Sequence, residues 1–195
     1  MTIPQPLTSP FRRHWPIIVA VGMTFLLTAL FLRIEGRSWW CACGDWRPWS
    51  FDVNTMHNSQ HLLDPYTLSH ILHGVIFFGL LYPLRNRISL GWRLVIACGL
   101  EAGWEMLENS PIIIDRYRTA TAALGYSGDS ILNSLADIAW CALGFEIARR
   151  LGLWKSVGLF FLFEIGCLLY VRDNLTLNVI MLLYPLQAIK TWQAG

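Results

Sequence analysis

The chain has 195 residues, of which 54% are hydrophobic and 14% are charged. Soluble domains carry about a quarter charged residues, so this depletion argues against a soluble globular protein and favours one compact helical domain in a lipid bilayer. The net charge of +2 gives no indication of a nucleic-acid partner. The expected partner is membrane lipid.

Six apolar segments predict an all-α fold, a polytopic transmembrane helical bundle of about six spans. They comprise residues 16–32, 67–84, 94–109, 131–148, 157–171 and 175–189. Residues 1–11 are polar and proline-rich, and we interpret them as a disordered leader to a single transmembrane domain, residues 12–195. Several segments have only about 15 to 18 residues, near the lower limit for a span. Because the sixth also contains Pro185, a five-span bundle with an interfacial C-terminal helix stays open.

The charges between these segments predict the orientation. With both termini in the cytoplasm, the inner segments hold nine of the 15 Lys and Arg residues, which is a moderate positive-inside bias. The nine are Arg12, Arg13, Arg85, Arg87, Arg93, Arg149, Arg150, Lys155 and Lys190. Residues 33–66 and 110–130 then form extracytoplasmic loops.

Three carboxylates lie inside the third predicted span. Glu101, Glu105 and Glu108 are spaced at i, i+4 and i+7, so on a helix they fall within roughly 60° of one another. Apolar residues 94–100 and 111–114 flank this stripe, which therefore is not an ordinary solvated helix face. Ionisable side chains in a span are costly, and they usually face the bundle interior and mark function.

The neighbouring spans carry polar side chains at the same depth. His70 and His73 lie at the start of the second span, and Asn133 and Asp137 lie in the first turns of the fourth. At 1.5 Å per residue, these side chains and the glutamates lie within about 12 Å of the outer helix ends. Because consecutive spans are usually neighbours, we predict one polar pocket in the outer leaflet.

The composition of this pocket suits a metal ion. His70, His73, Glu105 and Asp137 are the predicted metal ligands, since a mixture of imidazole and carboxylate favours Zn, Fe or Mn over Ca. A metal-bound water could attack an ester or phosphoester of a lipid headgroup, with Glu105 or Glu101 as general base. The predicted catalytic residues are Glu101, Glu105, Glu108, Asn133 and Asp137.

The second outer loop supplies candidates for substrate binding. Arg116 and Arg118 are predicted to bind a phosphate. Asp129 precedes an apolar run and is predicted first as the N-cap of the fourth span, with a role in substrate binding as the alternative. The expected substrate is a lipid or small amphiphile, and the expected chemistry is hydrolysis or group transfer.

Two other interpretations of the pocket remain. The buried histidines and glutamates could only hydrogen-bond one another and fix the bundle of a non-catalytic membrane scaffold. Alternatively, Glu101, Glu105 and Asp137 could form the proton relay of a small transporter or channel. A transporter should continue its polar line inward, through Glu146 or Glu164, whereas an enzyme pocket should be closed toward the cytoplasm.

The first outer loop contains a second group of metal-binding residue types. His57 and His61 are spaced for a shared ion, although solvated histidines are the simpler interpretation. Cys41 and Cys43 are candidates for a redox or metal role, and their separation makes a mutual disulfide difficult.

Three distinctive stretches carry a family resemblance: SHILHG at residues 69–74, EAGWEMLENSPIIIDRYRTAT at 101–121, and GYSGDSILNSLADI at 125–138. Through them the chain resembles an uncharacterised family of bacterial multi-pass inner-membrane proteins of unknown function. The resemblance implies a location in the bacterial plasma membrane. It implies no activity, cofactor or oligomeric state.

Overall fold

The computed structural model describes residues 10–121 and 125–195, with side chains from residue 14 onward. Within these ranges the chain forms eight α-helices, one short 3-10 helix and no strand, which confirms the all-α prediction. The helices are α1 (Pro10–Ile34), α2 (Thr67–Leu81), α3 (Leu90–Glu108), α4 (Pro111–Ala120), α5 (Ile131–Leu151), α6 (Leu153–Val171), α7 (Leu175–Leu183) and α8 (Gln187–Gln193). Residues 1–9 of the predicted leader lie outside the described residues.

Four of the described helical segments are long and apolar enough to cross a membrane. They are His14–Ile34, Thr67–Asn86, Ile131–Leu151 and Leu153–Val171. Helix α3 has 19 residues, as many as α6, but Arg93 and the three glutamates make it less apolar. At 1.5 Å per residue, 19 residues extend about 28 Å, close to the hydrocarbon thickness of a bilayer.

Side-chain caps explain where several helices begin. The Ser89 and Ser130 side chains accept hydrogen bonds from the backbone amides of Trp92 and Asn133, at the starts of α3 and α5. Such a cap satisfies one of the four amides that the first helical turn leaves unpaired. Helix α7 is capped by a side chain of another helix. The Glu164 carboxylate of α6 accepts hydrogen bonds from the amides of Leu175 and Thr176, at 2.9 and 3.1 Å.

The closest helix pair in the bundle is α2 with α5. A Cβ atom on Gly74 would overlap the carbonyl oxygen of Cys141, and a Cβ atom on Gly144 would overlap that of Ile71. The two glycines therefore bring the helix backbones into direct contact, as small residues do in membrane bundles. Helix α3 packs beside this pair and also against α1.

One end of the bundle is built from the two long connections, residues 35–66 and 109–130, and we call it the loop end. Backbone and side-chain hydrogen bonds attach the first connection to α5, at the start of this helix and near its middle. The Ile131 amide donates to the Ser38 carbonyl at 2.8 Å, and the Trp140 indole donates to the Leu62 carbonyl at 2.9 Å. The first connection is therefore a folded layer over the helices.

The second connection contains a helix that the sequence analysis did not predict. Pro111 ends α3 as expected, but it also starts α4, because the first helical position needs no backbone N–H. The Ser110 side chain accepts a hydrogen bond from the Ile113 amide and caps this new helix. The predicted loop is therefore only partly irregular.

The predicted sixth span is not formed as one helix. Residues 175–189 divide into α7 and the start of α8, and the break falls around Pro185. The nine residues of α7 extend about 14 Å, less than half a bilayer core. Helix α7 instead packs on α4, and the Tyr117 hydroxyl donates to the Asn178 side-chain oxygen at 3.0 Å.

The position of this C-terminal segment bears on the predicted orientation of the termini. The Lys190 ammonium donates to the Thr119 carbonyl, so α8 also lies at the loop end. The start of α1 lies at the opposite end, because Ile17 packs against Gly91 at the start of α3. The start of α1 and helix α8 thus lie at opposite ends of the described bundle. The prediction that both termini are cytoplasmic stays a prediction, and the five-span alternative would place these two ends on opposite sides of the membrane.

This topology predicts the labelling of introduced cysteines by a membrane-impermeant maleimide. We expect Ala194→Cys and Met56→Cys to be labelled from the same side of the membrane, and Arg87→Cys only from the other, because the first two lie at the loop end. Labelling is compared in intact and permeabilised cells. If Ala194→Cys follows Arg87→Cys instead, the five-span arrangement is wrong.

Candidate functional site

The structure brings together the polar side chains of α2, α3 and α5 about 10 Å below the loop end. Glu101 is the centre of this cluster, and its carboxylate is fully buried. The His70 Nδ1 atom lies 2.6 Å from Glu101 Oε1, and the His73 Nδ1 atom lies 2.9 Å from both Glu101 oxygens. Both imidazoles therefore donate an Nδ1–H to one carboxylate. This arrangement leaves each Nε2 atom as a lone-pair donor.

The His70 imidazole also lies close to two further carboxylates. The Nδ1 atom lies 3.5 Å from Glu105 Oε1, and the Nε2 atom lies 3.8 Å from Asp137 Oδ2. Donor atoms of His70, Glu105 and Asp137 all lie within 4.8 Å of one another, and so do those of His70, His73 and Glu101. Three of the four predicted metal ligands, His70, Glu105 and Asp137, thus form one group, whereas His73 belongs to the other group, with Glu101.

Several oxygens in this cluster have no hydrogen-bond partner among the described residues. Both oxygens of Glu105 and Oδ1 of Asp137 are buried without a hydrogen bond. A buried carboxylate without a partner is strongly destabilising unless it is protonated or binds a cation. These carboxylates therefore need either protons or a bound cation. A set of imidazole and carboxylate ligands of this kind fits a divalent metal ion.

Asp129 belongs to a separate, outer group of hydrogen bonds. The Asn109 side-chain amide donates to Asp129 Oδ2 at 2.8 Å, and the Asp129 backbone amide donates to Asn109 Oδ1 at 2.6 Å. The Tyr126 hydroxyl donates to the other carboxylate oxygen at 2.8 Å. Burial raises the pKa of Asp129, while these hydrogen bonds act against the rise.

The N-cap of α5 is Ser130, so the prediction that Asp129 caps this helix is wrong. The two neighbouring residues are both good caps, and tertiary hydrogen bonds to Asn109 and Tyr126 decide between them. Asn109 and Tyr126 were missed by the sequence analysis. The one available signal was that Asn109 directly follows the glutamate stripe.

Asn133, a predicted catalytic residue, holds the first connection in place. Its side-chain amide donates to the His61 carbonyl at 2.6 Å. Asp64 anchors the other end of that connection to the start of α2, where its Oδ1 accepts from the Thr67 amide at 3.0 Å. Burial raises the pKa of Asp64 to about 6.

A cavity of about 1200 Å³ lies between this cluster and the layer at the loop end. Its walls include segments 47–59 and 170–179 and six of the predicted site residues. These six are His70, His73, Glu108, Asp129, Asn133 and Asp137. Glu101 and Glu105 lie behind this wall and are not part of its lining.

The predicted phosphate-binding arginines lie elsewhere. The Arg116 side chain donates to the Leu182 carbonyl at 2.9 Å, and the Arg118 side chain donates to the Tyr126 carbonyl at 2.6 Å. Neither residue lines the large cavity. Arg47 and Arg172 line it instead, and the sequence analysis did not identify them as site residues.

The cluster is closed toward the other end of the bundle. Cys98, Cys141 and Phe145 are buried directly below Glu101, along the same helices. Glu146 lies beyond them and is ion-paired with Arg149 and Arg150, in both cases at 2.6 Å. Apolar side chains thus separate this exposed ion-pair group from the buried cluster.

Comparisons with known proteins agree on one family. The profile of a family described as "Protein of unknown function (DUF2585)" matches residues 32–195. A UPF0314 protein of Rhizobium etli (strain CIAT 652) is 54% identical over 177 residues, which are 91% of this chain and 89% of that protein. No solved structure matches the chain.

Two further bacteria carry similar proteins. A UPF0314 protein of Agrobacterium fabrum is 51% identical over 99% of this chain and 97% of its own length. A UPF0314 protein of Paracoccus denitrificans is 45% identical over 95% of this chain and 96% of its own length. The resemblance to an uncharacterised bacterial family is confirmed.

The Asn109–Asp129 pair predicts a specific loss of stability. We expect Asn109→Ala to destabilise the protein by roughly 1–3 kcal/mol, because it leaves a buried carboxylate oxygen and a buried amide without partners. The measurement is the midpoint of thermal unfolding in detergent. The matched control is Asn86→Ala, at an exposed position, which should leave the midpoint unchanged. Equal midpoints for the two variants would contradict this role.

Proposed function

The chain belongs to the DUF2585 family, and we propose that it is a membrane-embedded enzyme that uses a divalent metal ion to hydrolyse or transfer the headgroup of a lipid or small amphiphile. One observation carries the proposal. Both oxygens of Glu105 and Oδ1 of Asp137 are buried without hydrogen-bond partners beside the His70 imidazole, and His70 and Asp137 line a large cavity.

The donor set supports zinc or manganese over calcium. The His70 imidazole and the carboxylates of Glu105 and Asp137 supply nitrogen and oxygen ligands, whereas calcium prefers oxygen alone. The charge also balances, because two carboxylates neutralise one divalent ion. When bound, such an ion supplies an activated water and polarises a phosphoryl or acyl oxygen.

In this proposal, Glu101 orients the ligands without contacting the substrate. Its carboxylate accepts an Nδ1–H from each imidazole, and this fixes both rings in the tautomer whose Nε2 can bind a metal. Carboxylates behind metal-binding histidines commonly have this role. The burial of Glu101 behind the cavity wall supports the same assignment.

Glu108 is the strongest candidate for the general base. It lines the cavity one turn closer to the loop end than Glu105, and donor atoms of Glu105, Glu108 and Asp129 lie within 4.8 Å of one another. A base at this position can accept a proton from a water near the metal ligands and still contact a substrate in the cavity.

The cavity wall supports a substrate with an anionic headgroup. Among the described residues, the Arg172 guanidinium makes one hydrogen bond, to the Trp192 carbonyl at 3.3 Å, which leaves its other N–H groups for an anion. Arg47 is already ion-paired with Asp45. Arg172 therefore takes the place in this proposal that the sequence analysis assigned to Arg116 and Arg118.

The proposed topology has five spans, α1, α2, α3, α5 and α6, with the loop end facing the outside of the bacterial plasma membrane. The basic residues of the short connections at the other end, Arg85, Arg87, Arg149, Arg150 and Lys155, support this orientation. The pocket then lies in the outer leaflet. A proton-linked transporter is less well supported, because Cys98, Cys141 and Phe145 interrupt the polar line.

Elemental analysis tests the metal ion. We expect about one zinc or manganese per chain in protein purified in a Cys41→Ser, Cys43→Ser background, which removes thiolates that bind metals independently. His70→Ala and Glu105→Gln should each lower the content at least about 10-fold, whereas Glu146→Gln should retain it. A metal-free parent after incubation with either ion would overturn the metal-dependent proposal.

Turnover on phospholipid vesicles tests the reaction. Protein reconstituted in anionic phospholipid vesicles should catalyse the release of a water-soluble phosphate compound from the phospholipid. Glu108→Gln should slow this release at least about 100-fold, because the general base is lost. Glu146→Gln is the matched control. If the protein binds its metal but releases nothing from anionic or zwitterionic vesicles, it is not an enzyme of this class, and a scaffold role gains support.

A further inference from the structure

The first connection contains a second cluster of metal-binding side chains, which we call the loop cluster: Cys41, Cys43, His57 and His61. The His57 Nδ1 atom lies 3.7 Å from Cys41 Sγ and 3.5 Å from Cys43 Sγ. The same Nδ1 atom lies 3.2 Å from His61 Nε2. One atom of His57 is thus adjacent to the donor atoms of the other three residues.

The separations from His57 match edges of a zinc tetrahedron. Donor atoms of Cys41, Cys43 and His57 lie within 4.8 Å of one another, and His61 adjoins this group through His57. With Zn–N near 2.05 Å and Zn–S near 2.3 Å, tetrahedral ligands lie about 3.3 Å apart for two nitrogens and about 3.6 Å apart for a nitrogen and a sulfur. The observed 3.2 Å and 3.5–3.7 Å agree with both values. Two thiolates and two imidazoles also form a standard closed ligand set for structural zinc.

The surroundings of His61 prepare its ring for a metal. The Nδ1 atom lies 2.6 Å from the Arg47 carbonyl oxygen and donates to it, so Nε2 carries the lone pair that faces His57. The ring is fully buried, and the Trp40 ring packs edge-on against it at 5.4 Å. A histidine held in this tautomer and orientation loses little freedom on binding an ion.

A backbone amide also prepares the Cys43 sulfur for a metal ion. The Asp45 backbone amide donates to Cys43 Sγ at 3.3 Å, and an amide in this position stabilises a thiolate. The turn that brings this amide to the sulfur requires Gly44, whose φ of +77° is in the left-handed region. The His57 Nδ1 atom lies next to both sulfur atoms and is the third donor atom of the group.

We propose that the loop cluster is a zinc site when Cys41 and Cys43 are in the dithiol form. The structure bonds the two sulfurs as a disulfide, although the sequence analysis expected this bond to be difficult. A phosphine reductant and one water convert the disulfide to two thiols and a phosphine oxide. Zinc then binds both sulfurs and releases their two protons. The disulfide form has no thiolate and does not bind the ion.

Cobalt and zinc binding to the full-length protein tests this site, independently of the proposed function. In a His70→Ala background, phosphine-reduced protein should bind one Zn²⁺ per chain, and Co²⁺ should give the charge-transfer absorption of cobalt–thiolate bonds. Cys43→Ser and His57→Ala should weaken zinc binding at least about 100-fold, because each removes a direct ligand.

The controls keep this test separate from misfolding. Cys98→Ala removes a thiol outside the cluster and His14→Ala removes an imidazole outside it, and both should bind zinc as the parent does. The midpoint of thermal unfolding of each metal-free variant checks that it is folded. Zinc binding that persists in the oxidised protein, or that is unchanged in folded Cys43→Ser and His57→Ala, would overturn the site.

Discussion

The candidate site depends on a buried carboxylate between two imidazoles. Glu101 accepts hydrogen bonds from His70 and His73, which lie about one helical turn apart on the neighbouring helix. A carboxylate at this depth is tolerated only with such partners, because a buried ionised carboxylate without hydrogen bonds is strongly destabilising. The same two hydrogen bonds fix the rotation of α2 relative to α3. They also fix the direction of both Nε2 atoms.

The rest of the site is arranged in layers around this contact. Glu105 and Asp137 lie beside it with unpartnered oxygens, and Asn109 and Asp129 form a satisfied group above it. The difference between the two layers matters for chemistry. A hydrogen-bonded carboxylate such as Asp129 is part of the framework, whereas unpartnered oxygens have capacity left for a ligand. The layer at the loop end then closes the cavity without filling it.

Much of this arrangement could be predicted from the sequence. Hydropathy located the four apolar helices, and the 3.6-residue period placed the three glutamates on one stripe of α3. The order of the spans brought His70 and Asp137 to the same level, and the structure brings them within 3.8 Å. These features are predictable because hydropathy, the helical period and the order of the spans determine them, and all three can be read from the sequence.

Other features depend on contacts between distant segments, which no local pattern encodes. Residues 175–189 are as apolar as a span, but packing on α4 and the Glu164 cap keep α7 at the loop end. The choice of Ser130 over Asp129 as a cap depends on Asn109, twenty residues away. The cavity lining by Arg172 likewise follows from how the C-terminal segment folds back, which places that residue beside the first connection.

The direct backbone contact between α2 and α5 limits how the protein can adapt to a ligand. Gly74 and Gly144 each lie against a carbonyl oxygen of the facing helix. Main-chain atoms have no alternative rotamers, so a side-chain rearrangement cannot change the distance between α2 and α5. His70 and Asp137 are carried by these two helices, so their spacing is insensitive to side-chain rearrangement elsewhere in the bundle. Induced fit is therefore confined to the opposite wall of the cavity, where segments 47–59 and 170–179 are separate pieces of chain that can shift without disturbing the chemistry below.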